Sequence, residues 1–324
     1  MTNIQASGLR TPRAATKTHR TAPSRCMTWK KLAALISEGY GQGHRERYKP
    51  LLHITKRTSS PVSNIGLLPA PDLGRTHHYL SKSEKITILL LKWLGALDVR
   101  EQYPAWPWPH LHPLHGLQHP DAEQRLPGLE SIAEELGIEH GYFFGTDIPY
   151  IATLDILSTW AGDDGLPRLI VHECKPESVM LGPDSKRVNE RLKLTERYCA
   201  YANIPRFIFH AEHLPANLAV NLDALDPRLP RDRLSAIKET RGYQRLIEVI
   251  ERDRASKTPA EILQGLCRQT GMPSAGARNM LHLAIWSQDV DHDLTQPLEL
   301  HLPLISGGRQ LRQRLESLML GGLA

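Results

Sequence analysis

Two short runs decide how this chain folds: Ile151-Ala152-Thr153-Leu154-Asp155-Ile156-Leu157-Ser158-Thr159, and Leu169-Ile170-Val171-His172-Glu173-Cys174-Lys175, which Pro176 closes. Both are rich in β-branched and apolar residues, and the polar turn Gly162-Asp163-Asp164-Gly165 between them gives the pattern of a β-hairpin. Glu173 and Lys175 are two apart, so a pleated strand turns both side chains to one face. The first strand offers Asp155. Magnesium takes oxygen ligands in near-octahedral geometry, and two carboxylates on neighbouring strands leave positions for water and phosphate. A lysine beside them orients or activates an attacking water and offsets phosphate charge. Asp155 followed by Glu173-x-Lys175 is thus a residue set for metal-assisted phosphodiester hydrolysis. The same spacing also occurs on solvated edge strands. The apolar context favours chemistry, because Asp155 and Glu173 fall at the rim of a core, where an unpaired charge is costly.

Upstream, Ile86, Leu89, Leu90, Trp93, Leu94 and Leu97 recur at helical spacing and predict a helix between Ser81 and Asp98 that buries one side. Glu84 lies in its first turn and has two compatible readings: partner of Ser81 in a capping box, or a carboxylate facing the metal. Shorter helices are expected over Trp29 to Gly39 and Gly128 to Leu136. Downstream come a helix from about Val188 to Asn203 and a strand from Arg206 to His210. The order helix, strand, strand, helix, strand makes one mixed α/β unit.

Between Pro104 and Pro127 lies a loop with His110, His112, His115 and His119. Imidazole suggests zinc, but Pro109, Pro113 and Pro120 make the loop irregular and no thiolate helps, so a solvated polar loop is expected. Lys56, Arg57, Arg75, His77 and His78 precede the long helix and read either as a track for a phosphate backbone or as a solvated basic stretch.

The chain has 324 residues, 40% of them hydrophobic, enough for one good core and a smaller second one. Three segments are expected: a disordered basic arm over 1–28, a catalytic domain over 29–214, and a helical domain over 215–324 after the polar connection Pro215 to Pro230. In the last, Thr258, Pro259 and Glu261 form a capped helix start, Gly271-Met272-Pro273 a turn, and Ser274 the start of a second helix. With Leu298, Leu300 and Leu302 as the strand of a wing, this suits a winged-helix-like module. A formal charge of +5 favours a polyanionic partner, with nucleic acid the first candidate. Four cysteines without a CxxC pair argue against a disulfide framework and a structural zinc site, and fit a reducing, cytoplasmic setting. No stretch approaches the roughly 20 apolar residues of a membrane span.

Ordered motifs then carry a resemblance. Arg45 to Ile54, Gly74 to Ser81, Asp98-Val99-Arg100-Glu101-Gln102-Tyr103-Pro104, Ile132 to Ile138, Thr153-Leu154-Asp155, Glu173-Cys174-Lys175-Pro176, Glu196-Arg197-Tyr198 and Ile204 to Phe209 together resemble the TnsA family, the endonuclease subunits of Tn-seven-like transposons. The resemblance implies a restriction-endonuclease-like fold, a mixed sheet flanked by helices. It matches Glu84, Asp155 and Lys175 to the family's catalytic acidic pair and lysine. Glu173, with the backbone carbonyl of Cys174, would complete a site for Mg²⁺, with Mn²⁺ as a substitute. The family often has glutamine where Glu173 stands, and Leu51 replaces an expected tryptophan, a packing change. By the same resemblance the chain would cut at the 5′ ends of a transposon in a cytoplasmic, nucleoid-associated complex. A TnsB-like transposase would cut and join the 3′ ends, and a TnsC-like ATPase regulator would contact the C-terminal domain. Two rivals stand beside this: a stand-alone restriction or repair-type nuclease, and a non-catalytic DNA-binding adaptor.

Overall fold

The hairpin expected at Asp155 and Glu173 forms the centre of a four-stranded sheet. The structure is a computed structural model that describes residues 27–55, 64–182 and 185–321. Residues 1–26 of the basic arm, and Lys56 and Arg57, therefore lie outside the described residues. α1 (Trp29–Ser37) starts at Thr28, whose hydroxyl accepts the Lys31 N–H. β1 (Gly66–Ala70) and β2 (Arg75–Tyr79) pair as a small antiparallel hairpin. α2 (Lys82–Leu94) is the long apolar helix, capped by the Ser81 hydroxyl and ended by Gly95 at φ +103, a left-handed turn that glycine adopts without strain.

β3 (Asp98–Ala105) follows, then the short pair β4 (His110–Leu111) and β5 (Arg125–Leu126), α3 (Leu129–Leu136), β6 (Ala152–Ala161), β7 (Pro167–Cys174), α4 (Glu177–Leu181), α5 (Ser185–Tyr201) and β8 (Arg206–Phe209). The sheet runs β3-β6-β7-β8, antiparallel through β7 and parallel between β7 and β8, which α5 connects. This mixed sheet flanked by helices is restriction-endonuclease-like. β3 was not expected as a strand, because its charges and Pro104 oppose that reading; at the sheet's edge the missing proline N–H costs little.

Alternate strand residues feed two cores. Ile156, Ile170 and Cys174 pack with α2 on one face, whereas Leu157, Leu169 and Val171 pack with Ile132 of α3 and Leu194, Tyr198 and Cys199 of α5 on the other. The histidine loop is solvated at His115, as expected, but not at His112. His112 is 2% exposed; its Nε2 donates to the Ala202 carbonyl and its Nδ1 accepts the Leu114 N–H, which pins the loop to the end of α5. Leu51 fills its place in a third cluster with Leu32 and Trp106.

The C-terminal helices are α6 (Ala216–Leu225), α7 (Arg231–Lys238), α8 (Arg241–Asp253), α9 (Pro259–Thr270), α10 (Ser274–Trp286) and α11 (Gly308–Leu320). The capping box at Thr258 and Glu261, the left-handed Gly271 and the helix start at Ser274 are all present. The expected wing strand is not: Leu298 to Leu302 is irregular, and the Leu300 carbonyl accepts the free Ala260 N–H in the first turn of α9 at 2.7 Å. A helix terminus takes the backbone group that a ladder would have used. Leu218, Leu281, Leu315 and Met319 share one hydrophobic cluster with Leu89 and Trp93 of α2, so the apolar core crosses residue 215 without a break. Among the described residues, no helix is long and apolar enough to cross a membrane.

Candidate active site

The site forms where the sheet loses its regular alternation. β3 and β6 keep one register on both sides of the break, with Glu101 opposite Ile156 and Tyr103 opposite Leu154, yet Gln102 and Asp155 do not pair and Gln102 has φ +52. The faces exchange at this rung. Leu154 and Leu157, an even and an odd position, pack into the same core, while Val99 and Tyr103, both odd, pack into different ones. Regular pleating forbids both observations. Asp155 thus leaves the strict in-or-out choice of a strand residue.

Its carboxylate is held from β7. The Cys174 N–H donates to Asp155 Oδ2 at 2.8 Å, and the Lys175 ammonium donates to the same oxygen. Lys175 Nζ also lies 3.7 Å from Glu173 Oε2, as the two-residue spacing required. Burial opposes the charge of Lys175, but Asp155 and Glu173 outweigh it and raise its pKa, so the ammonium stays protonated. The Cys174 thiol turns the other way, to the Thr87 hydroxyl, and burial holds it protonated. That leaves only backbone groups of Cys174 for the site.

Glu84 enters from the start of α2. Its Oε2 accepts the Leu80 N–H at 2.8 Å and the Gln102 Nε2–H at 3.2 Å, while Ser81 Oγ donates to Oε1 at 3.2 Å. The capping role is real but displaced: the side chain satisfies Leu80, not Ser81. Burial, and then the negative charge of Asp155, raise its pKa to about 7.

Glu173 approaches from the opposite face. It lies on the α5 side, 3.7 Å from Arg206 Nε, and burial followed by the Asp155 charge raises its pKa. Its Oε1 is buried without a hydrogen bond. Glu84 and Glu173 each sense Asp155 and Lys175 but lie on opposite sides of the sheet. Accordingly, among the described residues no three His, Cys, Asp or Glu side chains group closely enough to hold an ion. The expected three-carboxylate cage is corrected to two pairs that share Asp155. A magnesium site needs only one or two carboxylates, completed by water and phosphate. The donor chemistry fits such an ion: oxygen-only ligands, mutual repulsion that a cation relieves, and an orphaned buried carboxylate oxygen.

The expected phosphate contacts at Arg75, His77 and His78 are also corrected. Arg75 donates to both oxygens of Glu101 at 2.9 and 3.0 Å and stacks on Tyr48, with its side chain 6% exposed. His77 is fully buried against Glu101 Oε2, and His78 Nδ1 accepts the Ile54 N–H. Burial works against the charge of Glu101, but His77 and Arg75 outweigh it and hold the carboxyl at about 2. Burial in turn keeps His77 on the neutral side. Arg75 and His77 are consumed in fastening β2 to β3, while the half-buried His78 ring is tied to Ile54. Gln102, conversely, went unread, since nothing marks a strand glutamine until its backbone angle and its bond to Glu84 are known.

The transposon Tn7 transposition protein TnsA of Escherichia coli is 30% identical to this chain over 196 residues. The chain is similar to TnsA. The match takes in 60% of the chain and 62% of TnsA, so it spans under two thirds of that relative's length. No family model matches the sequence.

Proposed function

We propose that this TnsA-like chain is a Mg²⁺-dependent endodeoxyribonuclease, the subunit of a heteromeric transposase that hydrolyses a phosphodiester at the 5′ ends of its transposon. The observation that carries the reading is the carboxylate of Asp155, set between Glu84 and Glu173 and neutralised by a buried-side ammonium at Lys175. Asp155, with Glu84 or Glu173 and the Cys174 carbonyl, would hold the ion. Magnesium supplies Lewis-acid polarisation of the phosphate and a more acidic water when bound. Lys175 stays charged at neutral pH, so it acts as a hydrogen-bond donor and counter-charge to the phosphate and not as a base. Glu84 faces the Asp155 charge from the start of α2, a repulsion that a bound cation would relieve. A TnsB-like transposase, a TnsC-like ATPase regulator and transposon-end DNA are the proposed partners.

Strand-specific mapping of cuts in a complex reconstituted with partners, end DNA and Mg²⁺ tests this. Asp155→Ala and Lys175→Ala should abolish the 5′ cut while the 3′ cut persists. A 5′ cut by either folded variant sinks the assignment. Strong cleavage by the purified chain alone would instead favour a stand-alone nuclease.

A further inference from the structure

The edge strand carries a second charged feature on the face away from α2. Arg100 is 1% exposed, yet among the described residues it forms no ion pair. Its Nη1 donates to the Pro113 carbonyl at 3.0 Å, and its guanidinium lies over the Tyr103 ring at 5.0 Å. A ring face receives the flat side of a guanidinium and leaves the in-plane N–H groups unused. Accordingly Nε and Nη2 are buried without partners. A buried cation without a counter-ion is costly, and planar paired donors match a phosphate.

Arg100 lines a cavity of about 610 Å³ between the 41–47 segment and the histidine loop. Arg47 joins it there beside a single carboxylate, Glu46, whereas Arg45 in the same wall donates from Nη1 and Nη2 to the Leu97 and Asp72 carbonyls. Trp106 and Trp108 stack at 5.6 Å along its wall, and Trp108 is only partly buried there. His44 Nε2 meets the His115 carbonyl, which only accepts; the proton is therefore on Nε2, and Nδ1 is an unpartnered acceptor in the same wall. The cavity combines cationic donors, an aromatic platform and an acceptor.

We infer that this cavity binds a nucleotide unit, with its phosphate on Arg100 and its base on Trp108. The unit arrives either as a free nucleotide or as the phosphorylated end of a DNA strand. Binding here is separable from the nuclease reading, because it needs neither metal nor cleavage.

Tryptophan fluorescence of the full chain, titrated without metal, tests it. Deoxyadenosine monophosphate should quench saturably, and deoxyadenosine should not. Arg100→Gln and Trp108→Ala should each weaken binding by roughly tenfold or more. Quenching by a 5′-phosphorylated oligonucleotide that competes with the mononucleotide assigns the site to DNA ends, whereas binding of the mononucleotide alone assigns it to a free ligand. Absence of saturable binding overturns the inference. So does unchanged affinity in folded Arg100→Gln or, should that variant not fold, in Trp108→Ala.

Discussion

Gln102 and Asp155 face each other across β3 and β6 at the one rung where the two strands stay in register but do not pair. Gln102 secures the break from both ends, accepting the Thr153 hydroxyl at 2.9 Å and donating to Glu84 at 3.2 Å. Its φ of +52 is strained for a residue with a Cβ. Both Gln102→Ala and Gln102→Gly lose the two bonds, but only glycine loses the strain. Gln102→Gly should therefore be about 1 kcal/mol more stable than Gln102→Ala in urea unfolding. Equal stabilities would mean that the backbone there is relaxed.

Glu84 makes the fold pH-sensitive. Its carboxyl ionises near 4.5 in the unfolded chain and near 7 in the fold, through burial and the neighbouring Asp155 charge. Between these values the folded chain keeps a proton that the unfolded chain has lost. Stability from this group is complete below 4.5 and declines as pH rises to about 7, a loss of roughly 3 kcal/mol. Glu84→Gln should flatten that window, so the difference between wild type and variant, measured by denaturation from pH 4.5 to 8, must change with pH. A constant difference would show that Glu84 is ionised in both states.

Lys175 pairs with both Asp155 and Glu173. Lys175→Met leaves those carboxylates facing each other and should lower the melting temperature in chelator. Millimolar Mg²⁺ should restore more of it than in wild type, because a divalent cation then replaces the ammonium. A variant that Mg²⁺ does not stabilise argues that these carboxylates do not receive the ion.

Arg75 distinguishes a structural role from a phosphate contact. Removing it strands the buried Glu101, and breaking a buried pair costs roughly 3–5 kcal/mol. Arg75→Ala should show that loss in denaturant, while folded protein keeps its salt dependence of DNA binding. A phosphate contact would instead lower the log–log salt slope by about 1 with little loss of stability.

What was legible in the sequence followed from period and punctuation. The spacing of Ile86 to Leu94, the Thr258 cap and the E-x-K pair express local geometry, and the structure agrees with each. The misread residues depend on distant partners. Arg75 and His77 look like surface cations until Glu101 is folded over them. β3 looks like a polar loop until β6 pairs with it. The place of Asp155 between Glu84 and Glu173 follows from the broken alternation of β6, which a strictly two-residue period cannot express.

The shared core sets the last prediction. α11 places Leu311, Leu315, Met319 and Leu320 in the same cluster as α2, and its Met319 carbonyl accepts the Nε2–H of His172, next to Glu173. Burial holds His172 at about 4. Four buried apolar side chains contribute roughly 1.5–3 kcal/mol each, a sum comparable with the whole stability of a domain at about 5–15 kcal/mol. Ending the chain before Gly308 should therefore unfold the half that holds the sheet along with the helical one, seen as loss of a cooperative transition and of amide protection in β6 and β7. A truncated chain that still melted cooperatively near the parent temperature, with His172 still untitrated above pH 5, would show that the four-stranded sheet stands without its C-terminal helix.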